Sequence, residues 1–130
     1  MSKFALDSSA ILALIKNEPG ADVTASALPG ALISAVNITE VVSKLIDLGS
    51  SMEPLDLALA EAKVEIVPFT ETQARLAGEL RRTTKSRGLS LGDRACLALA
   101  RERGLTAVTA DAAWVGATDV AVRLIREPKP

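Results

Sequence analysis

The chain has 130 residues, 48% hydrophobic and 24% charged, with a formal net charge of -1. That length and apolar share suit one domain over residues 1–130 with a sizeable core, and the near-neutral balance provides no global attraction to nucleic acid. With no histidine and a single cysteine, the composition excludes Ser-His-Asp triads, histidine-ligated zinc and internal disulfides; the absence of tyrosine argues against an aromatic stacking platform.

Phe4-Ala5-Leu6 reads as a short buried strand. Ser8 to Lys16 reads as a nearly all-apolar helix, stopped by Glu18-Pro19-Gly20. Residues 32–36 predict a second strand, with Asn37 capping a helix that runs to Gly49. A helix near 54–62 leads to a third strand over 64–67, closed by Pro68. Thr70-Glu71-Thr72-Gln73 has the form of a capping box and opens a long helix to about Arg87, ended by Gly88. Ser90 starts the next helix, which stops at Gly104. Leu105 to Thr109 is a fourth strand, 112–115 a short turn or helix, and 120–125 a last strand before a frayed tail at 127–130.

Strands separated by helices predict a three-layer α/β/α domain around a central parallel sheet of four to five strands. Cys96 lies in an apolar run and reads as a buried small apolar group, in keeping with a reducing cytoplasm. Nothing at the N-terminus reads as a signal peptide. No apolar run reaches the roughly 20 residues a bilayer requires, so a soluble cytoplasmic protein is expected.

Four acids stand at or beside breaks between apolar runs: Asp7, Glu40, Asp93 and Asp111. Each has a bland reading. Asp7 and Asp111 suit helix caps. Asp93 completes Ser90-Leu91-Gly92-Asp93 as a capping box, although it shares a helix face with Cys96, Leu97 and Ala100. Glu40 lies off the apolar face of its helix, and an ordinary pair with Lys44 accounts for it. In a parallel sheet, however, all four converge on the edge where ligands bind. Two carboxylates about 4 Å apart repel by roughly 4 kcal/mol at an effective dielectric of about 20. Such a group raises its pKa values or binds cations, and oxygen-only ligands suit Mg²⁺ or Mn²⁺ rather than zinc.

The motifs Leu6-Asp7-Ser8-Ser9-Ala10, Asn37-Ile38-Thr39-Glu40-Val41, Ser90-Leu91-Gly92-Asp93-Arg94-Ala95 and Val108-Thr109-Ala110-Asp111 occur in that order over essentially the whole chain. In this the chain resembles the PIN-domain ribonucleases, specifically the VapC-type toxins of bacterial toxin–antitoxin pairs. The resemblance implies a magnesium-dependent endoribonuclease with Asp7, Glu40, Asp93 and Asp111 as its catalytic and metal-binding residues. It implies supporting polar roles for Ser8, Asn37 and Thr109. It also implies a homodimer and a VapB-type antitoxin whose C-terminal segment wraps the toxin and blocks the acidic pocket. Ala112 stands where such toxins often carry arginine.

RNA needs a cationic path to so acidic a site. Arg81, Arg82 and Lys85 share one predicted helix face with Arg87 beside them, and Arg94 and Arg101 share the outer face of another. As phosphate contacts they would make binding salt-dependent; alternatively, Arg81 to Arg87 merely oppose a helix dipole. Two rivals to the enzyme stand. One is an inactive PIN scaffold that binds RNA or protein. The other is a receiver-type phosphoacceptor domain, which is disfavoured because no acid neighbours Asp7, the third strand ends in Pro68 and Phe69, and the late lysine, Lys129, lies in the tail.

Overall fold

The computed structural model describes residues 3–128. Five strands form one sheet in the order β3-β2-β1-β4-β5, every pair parallel. They are β1 (Phe4–Leu6), β2 (Leu32–Ser34), β3 (Glu65–Val67), β4 (Thr106–Thr109) and β5 (Val122–Leu124). The helices between them are α1 (Ser8–Ile15), α2 (Ala21–Ala27), α3 (Ala35–Asp47), α4 (Glu53–Glu61), α5 (Glu71–Glu79), α6 (Arg81–Thr84) and α7 (Leu91–Arg103). The expected three-layer parallel architecture is therefore present, with five strands.

The period of two along each strand divides the core between the two faces. Ala5, Leu32 and Ala107 pack with Ala77, Leu80 and the apolar face of α7, including Cys96, Leu97 and Leu99. Their neighbours Leu6, Ile33 and Val108 pack on the opposite face with Ile11, Ala27, Val41 and Leu55, from α1 to α4. Among the described residues, no helix is long and apolar enough to cross a membrane.

Strand order matters most for function. The chain moves from β1 outward to β2 and β3, then crosses back to lay β4 on the other side of β1. The strand order therefore reverses between β1 and β4, and in parallel sheets ligands bind beyond the C-terminal strand ends at such a switch point. Asp7 follows β1 and Asp111 lies two residues beyond β4. α7 runs against the strands and brings its N-terminus, with Asp93, to the same edge.

Several local expectations change. α2 has no counterpart in the sequence reading; its Ala21–Ala27 run is short and carries little apolar periodicity. Helix α3 starts two residues before Asn37, with Ser34 as its cap: the Ser34 hydroxyl accepts from Val36 N at 3.2 Å. Asn37 is thereby inside the helix and buried. The long helix expected from 70 to 87 is broken at Leu80 into α5, α6 and a 3-10 turn over Lys85–Arg87. The Thr84 hydroxyl donates to the Leu80 carbonyl at 2.8 Å, and Thr83 reaches the same carbonyl at 3.4 Å. Such local bonds compete with a regular helical ladder. Of the expected frayed tail at 127–130, residues 129 and 130 lie outside the described residues.

Candidate active site

Asp7 is the deepest of the four acids, 3% exposed. Its Oδ2 accepts from the Ser9 hydroxyl at 2.6 Å and the Thr109 hydroxyl at 2.9 Å. Its Oδ1 is buried and has no protein donor. Burial raises the Asp7 pKa to about 6; the two hydroxyls oppose that rise, and nearby Asp93 and Glu40 add to it. A buried carboxylate oxygen without a donor is normally costly, so its presence points to a missing electropositive group.

Glu40 turns toward this edge rather than toward Lys44, so the helix-surface pair expected from periodicity does not form. Its Oε1 accepts from Ser8 at 3.1 Å and from Asn37 Nδ2 at 2.9 Å. Asn37 Nδ2 also donates to the Gly92 carbonyl at 3.0 Å, which ties α3 to the first turn of α7. A side chain at Gly92 would overlap the Glu40 carboxylate. Gly92 is thus the space in which Glu40 lies. Its signal in the sequence was a glycine in the first turn of a helix, where glycine is otherwise unfavourable.

Asp93 forms the complete capping box anticipated from Ser90: Ser90 N donates to Asp93 Oδ2 at 2.8 Å and Asp93 N donates to the Ser90 hydroxyl at 3.2 Å. It is half-buried, and burial raises its pKa, with Asp111 and Glu40 contributing in the same direction. Asp111 is exposed; its Oδ1 accepts from Ala113 N at 2.9 Å and its N donates to the Thr109 hydroxyl at 3.1 Å. Thr109 therefore links Asp7 and Asp111 through one oxygen. Ser9, which sequence reasoning passed over, closes the same network by accepting from Ala110 N at 3.0 Å.

The four acids act on one another electrostatically, as the pKa shifts of Asp7 and Asp93 record. Beneath them Cys96 is fully buried. Its thiol is pushed well above its usual pKa by burial and by Asp7, Asp93 and Glu40. Among the described residues, no three of these side chains are already arranged as a metal-ligand set. The donors nevertheless fit a hard divalent cation: they are all oxygen, mutually repelling, and include the orphaned Oδ1 of Asp7.

The basic residues divide. Arg81 and Lys85 are exposed, and Arg82 pairs with Glu79 at 2.7 Å on the surface. Arg87 donates instead to the carbonyls of Ala113 and Val115. Arg94 does not occupy the outer face expected for an RNA contact. It is only 9% exposed, and its Nη1 donates to the Ala77 carbonyl at 2.9 Å, joining α7 to α5. The reason is that α7 is enclosed on several sides, with residues 94–100 all buried. Arg101, farther along, is exposed and pairs with Asp119 at 2.8 Å.

A parallel sheet whose switch point carries buried and half-buried acids defines a class that comparison identifies. The family model described as "PIN domain" matches residues 4–119, and the chain belongs to that family. Within it, the chain is 33% identical over 108 residues to a VapC ribonuclease of Mycobacterium bovis, covering 75% of this chain and 81% of that protein. Two solved structures share the fold at a TM-score of 0.76. One is a DNA-bound VapBC of Salmonella typhimurium (19% identity, covering 97% of this chain and all of that one). The other is a toxin–antitoxin complex from Klebsiella pneumoniae (20% identity, with the same coverage).

Proposed function

We propose that this chain, as a single PIN domain, is a divalent-metal-dependent endoribonuclease that serves as the toxin of a toxin–antitoxin pair. The observation that carries the reading is the buried, donorless Oδ1 of Asp7 among three further acids at the switch point. The kinship with a protein named VapC ribonuclease supports RNA as the substrate.

Asp7 and Asp93 would hold the principal Mg²⁺, or Mn²⁺ in its place, with Glu40 and Asp111 completing the shell directly or through water. A bound divalent ion supplies a water of lowered pKa and charge stabilisation at the scissile phosphate. The protein's own part is orientation. Ser9 and Thr109 fix one oxygen of Asp7 and leave the other open. Ser8 and Asn37 do the same for Glu40, and the Ser90 box aims Asp93. With no histidine in the chain, no imidazole base takes part. Arg81, Arg82 and Lys85 are proposed as phosphate contacts. A VapB-type antitoxin, a homodimer and a cytoplasmic setting complete the proposal; the toxin–antitoxin complex of matching fold supports the first of these.

The test is sequencing of RNA ends after expression of the wild type beside Asp7→Asn and Asp93→Asn. Internal cuts are expected in the wild type alone, with both variants folded. Full cleavage by either variant, or by the wild type in excess EDTA, would overturn the assignment. Calorimetric titration with Mg²⁺ separates the enzyme from an inactive scaffold, since a scaffold without a working site takes up no ion there.

A further inference from the structure

Arg87 reaches the acidic edge from outside the set of carboxylates. It ends the 3-10 turn Lys85–Arg87, and its Nη1 donates to the Val115 carbonyl at 2.6 Å and the Ala113 carbonyl at 3.3 Å. Those carbonyls belong to the C-cap and the middle residue of the 3-10 turn Ala112–Trp114. The near end is held by Asp111, whose Oδ1 accepts from Ala113 N. One short turn is therefore gripped by Asp111 at its start and by Arg87 at its finish. Such turns have poor internal hydrogen-bond geometry and depend on outside partners. The backbone bonds of this one are at the upper end of the usual range, 3.2 Å from Trp114 N to Asp111 O and 3.2 Å from Val115 N to Ala112 O.

We propose that Arg87 is a positioning residue for Asp111, holding the turn that presents this carboxylate to the metal site, and is not a phosphate contact. This rests on the metal-dependent reading above. Both hydrogens of Nη1 already have acceptors, and the carbonyls they engage belong to the Asp111 turn. Arg81 makes no such bond, and the donors that Arg87 keeps on Nε and Nη2 are what a salt series of RNA binding tests.

Trp114, the chain's only tryptophan, sits in this turn and is fully buried, so its fluorescence reports the turn's order. The experiment compares wild type, Arg87→Ala and Arg87→Lys by Mn²⁺ calorimetry, acrylamide quenching of Trp114, and metal-free RNA binding across a salt series. Both variants are expected to weaken Mn²⁺ binding by about tenfold, the lower end of the effect of outer-shell partners. They should expose Trp114 to quencher and leave RNA affinity and its salt slope unchanged. Lysine keeps the charge but has a shorter reach, so it should not rescue. Combining Arg87→Ala with Asp111→Asn should add little to Asp111→Asn alone.

A salt slope reduced by about one in Arg87→Ala and restored in Arg87→Lys would overturn the proposal in favour of a phosphate contact. Wild-type protein that binds no Mn²⁺ overturns the metal reading itself. Wild-type binding matched by both variants, with Trp114 undisturbed, overturns only the role of Arg87.

Discussion

Asp7 and Asp111 follow neighbouring strands at the same edge of the sheet and share a hydrogen-bond partner in Thr109, yet their surroundings differ sharply. Asp7 is buried, raised to a pKa of about 6, and keeps one oxygen without a donor. Asp111 is exposed and gives one oxygen to its own turn. The contrast teaches that depth, not proximity to a strand end, decides which carboxylate carries unrelieved charge. A buried anion needs a cation; an exposed one is served by water.

The sharpest way to break that comparison is to neutralise each acid. Asp7→Asn should reduce cleavage by more than about 100-fold, beyond the ~10–100-fold typical of outer-shell partners. Asp111→Asn keeps the acceptor for Ala113 N and should lose less, about tenfold. Equal losses in a cleavage assay would erase the distinction. Gly92→Ala is next: the new methyl would displace the Glu40 carboxylate, lowering activity by about 10–100-fold. Overpacking should also reduce stability by roughly 1–3 kcal/mol in a denaturant melt. An active, undisturbed Gly92→Ala protein would mean that Glu40 is free to sit elsewhere.

Acidity sharpens the comparison in the metal-free protein. Below pH 3.8 Asp7 is neutral folded or unfolded; between that and about 6 only the unfolded chain ionises. The raised folded pKa therefore favours the native state at low pH, and this advantage is lost as pH rises through about 6. The loss reaches up to about 3 kcal/mol. Asp93, shifted the same way, acts in the same direction. Denaturation in EDTA from pH 4 to 7 should show the decline, and Asp7→Asn should flatten most of it. Saturating Mg²⁺ should reverse it, because the ion binds the ionised form. The smallest functional effect is expected at Arg94→Met. Loss of the bond to Ala77 should cost about 1–3 kcal/mol of stability, with the salt slope of RNA binding unchanged. A shallower slope would return Arg94 to the nucleic-acid surface.

Much of this was legible in the chain. Alternation of apolar runs predicted a parallel sheet between helices, and Ser90 with Asp93 predicted a capping box that is fully formed. Glu40 was not legible from periodicity, since its true partners, Ser8 and Asn37, include one 32 residues away. Ser9 carried no signal of its own in the sequence, because its meaning lies in its contacts with Asp7 and Thr109. Arg94 misled for the same reason in reverse. A helix with one apolar face leaves its charges in water, whereas α7 is enclosed on more than one side and must bury an arginine against a carbonyl.

By itself, the sequence determined the chain order of the five strands, the oxygen-only chemistry of the acids and the absence of any imidazole, because these follow from local periodicity and composition. Only the tertiary structure decided that β4 returns beside β1, and with it which carboxylate is buried, which hydroxyls restrain it and which arginine supports the turn beyond. Those outcomes depend on contacts between residues far apart in the chain, and burial, hence charge stabilisation, exists only once such contacts have formed.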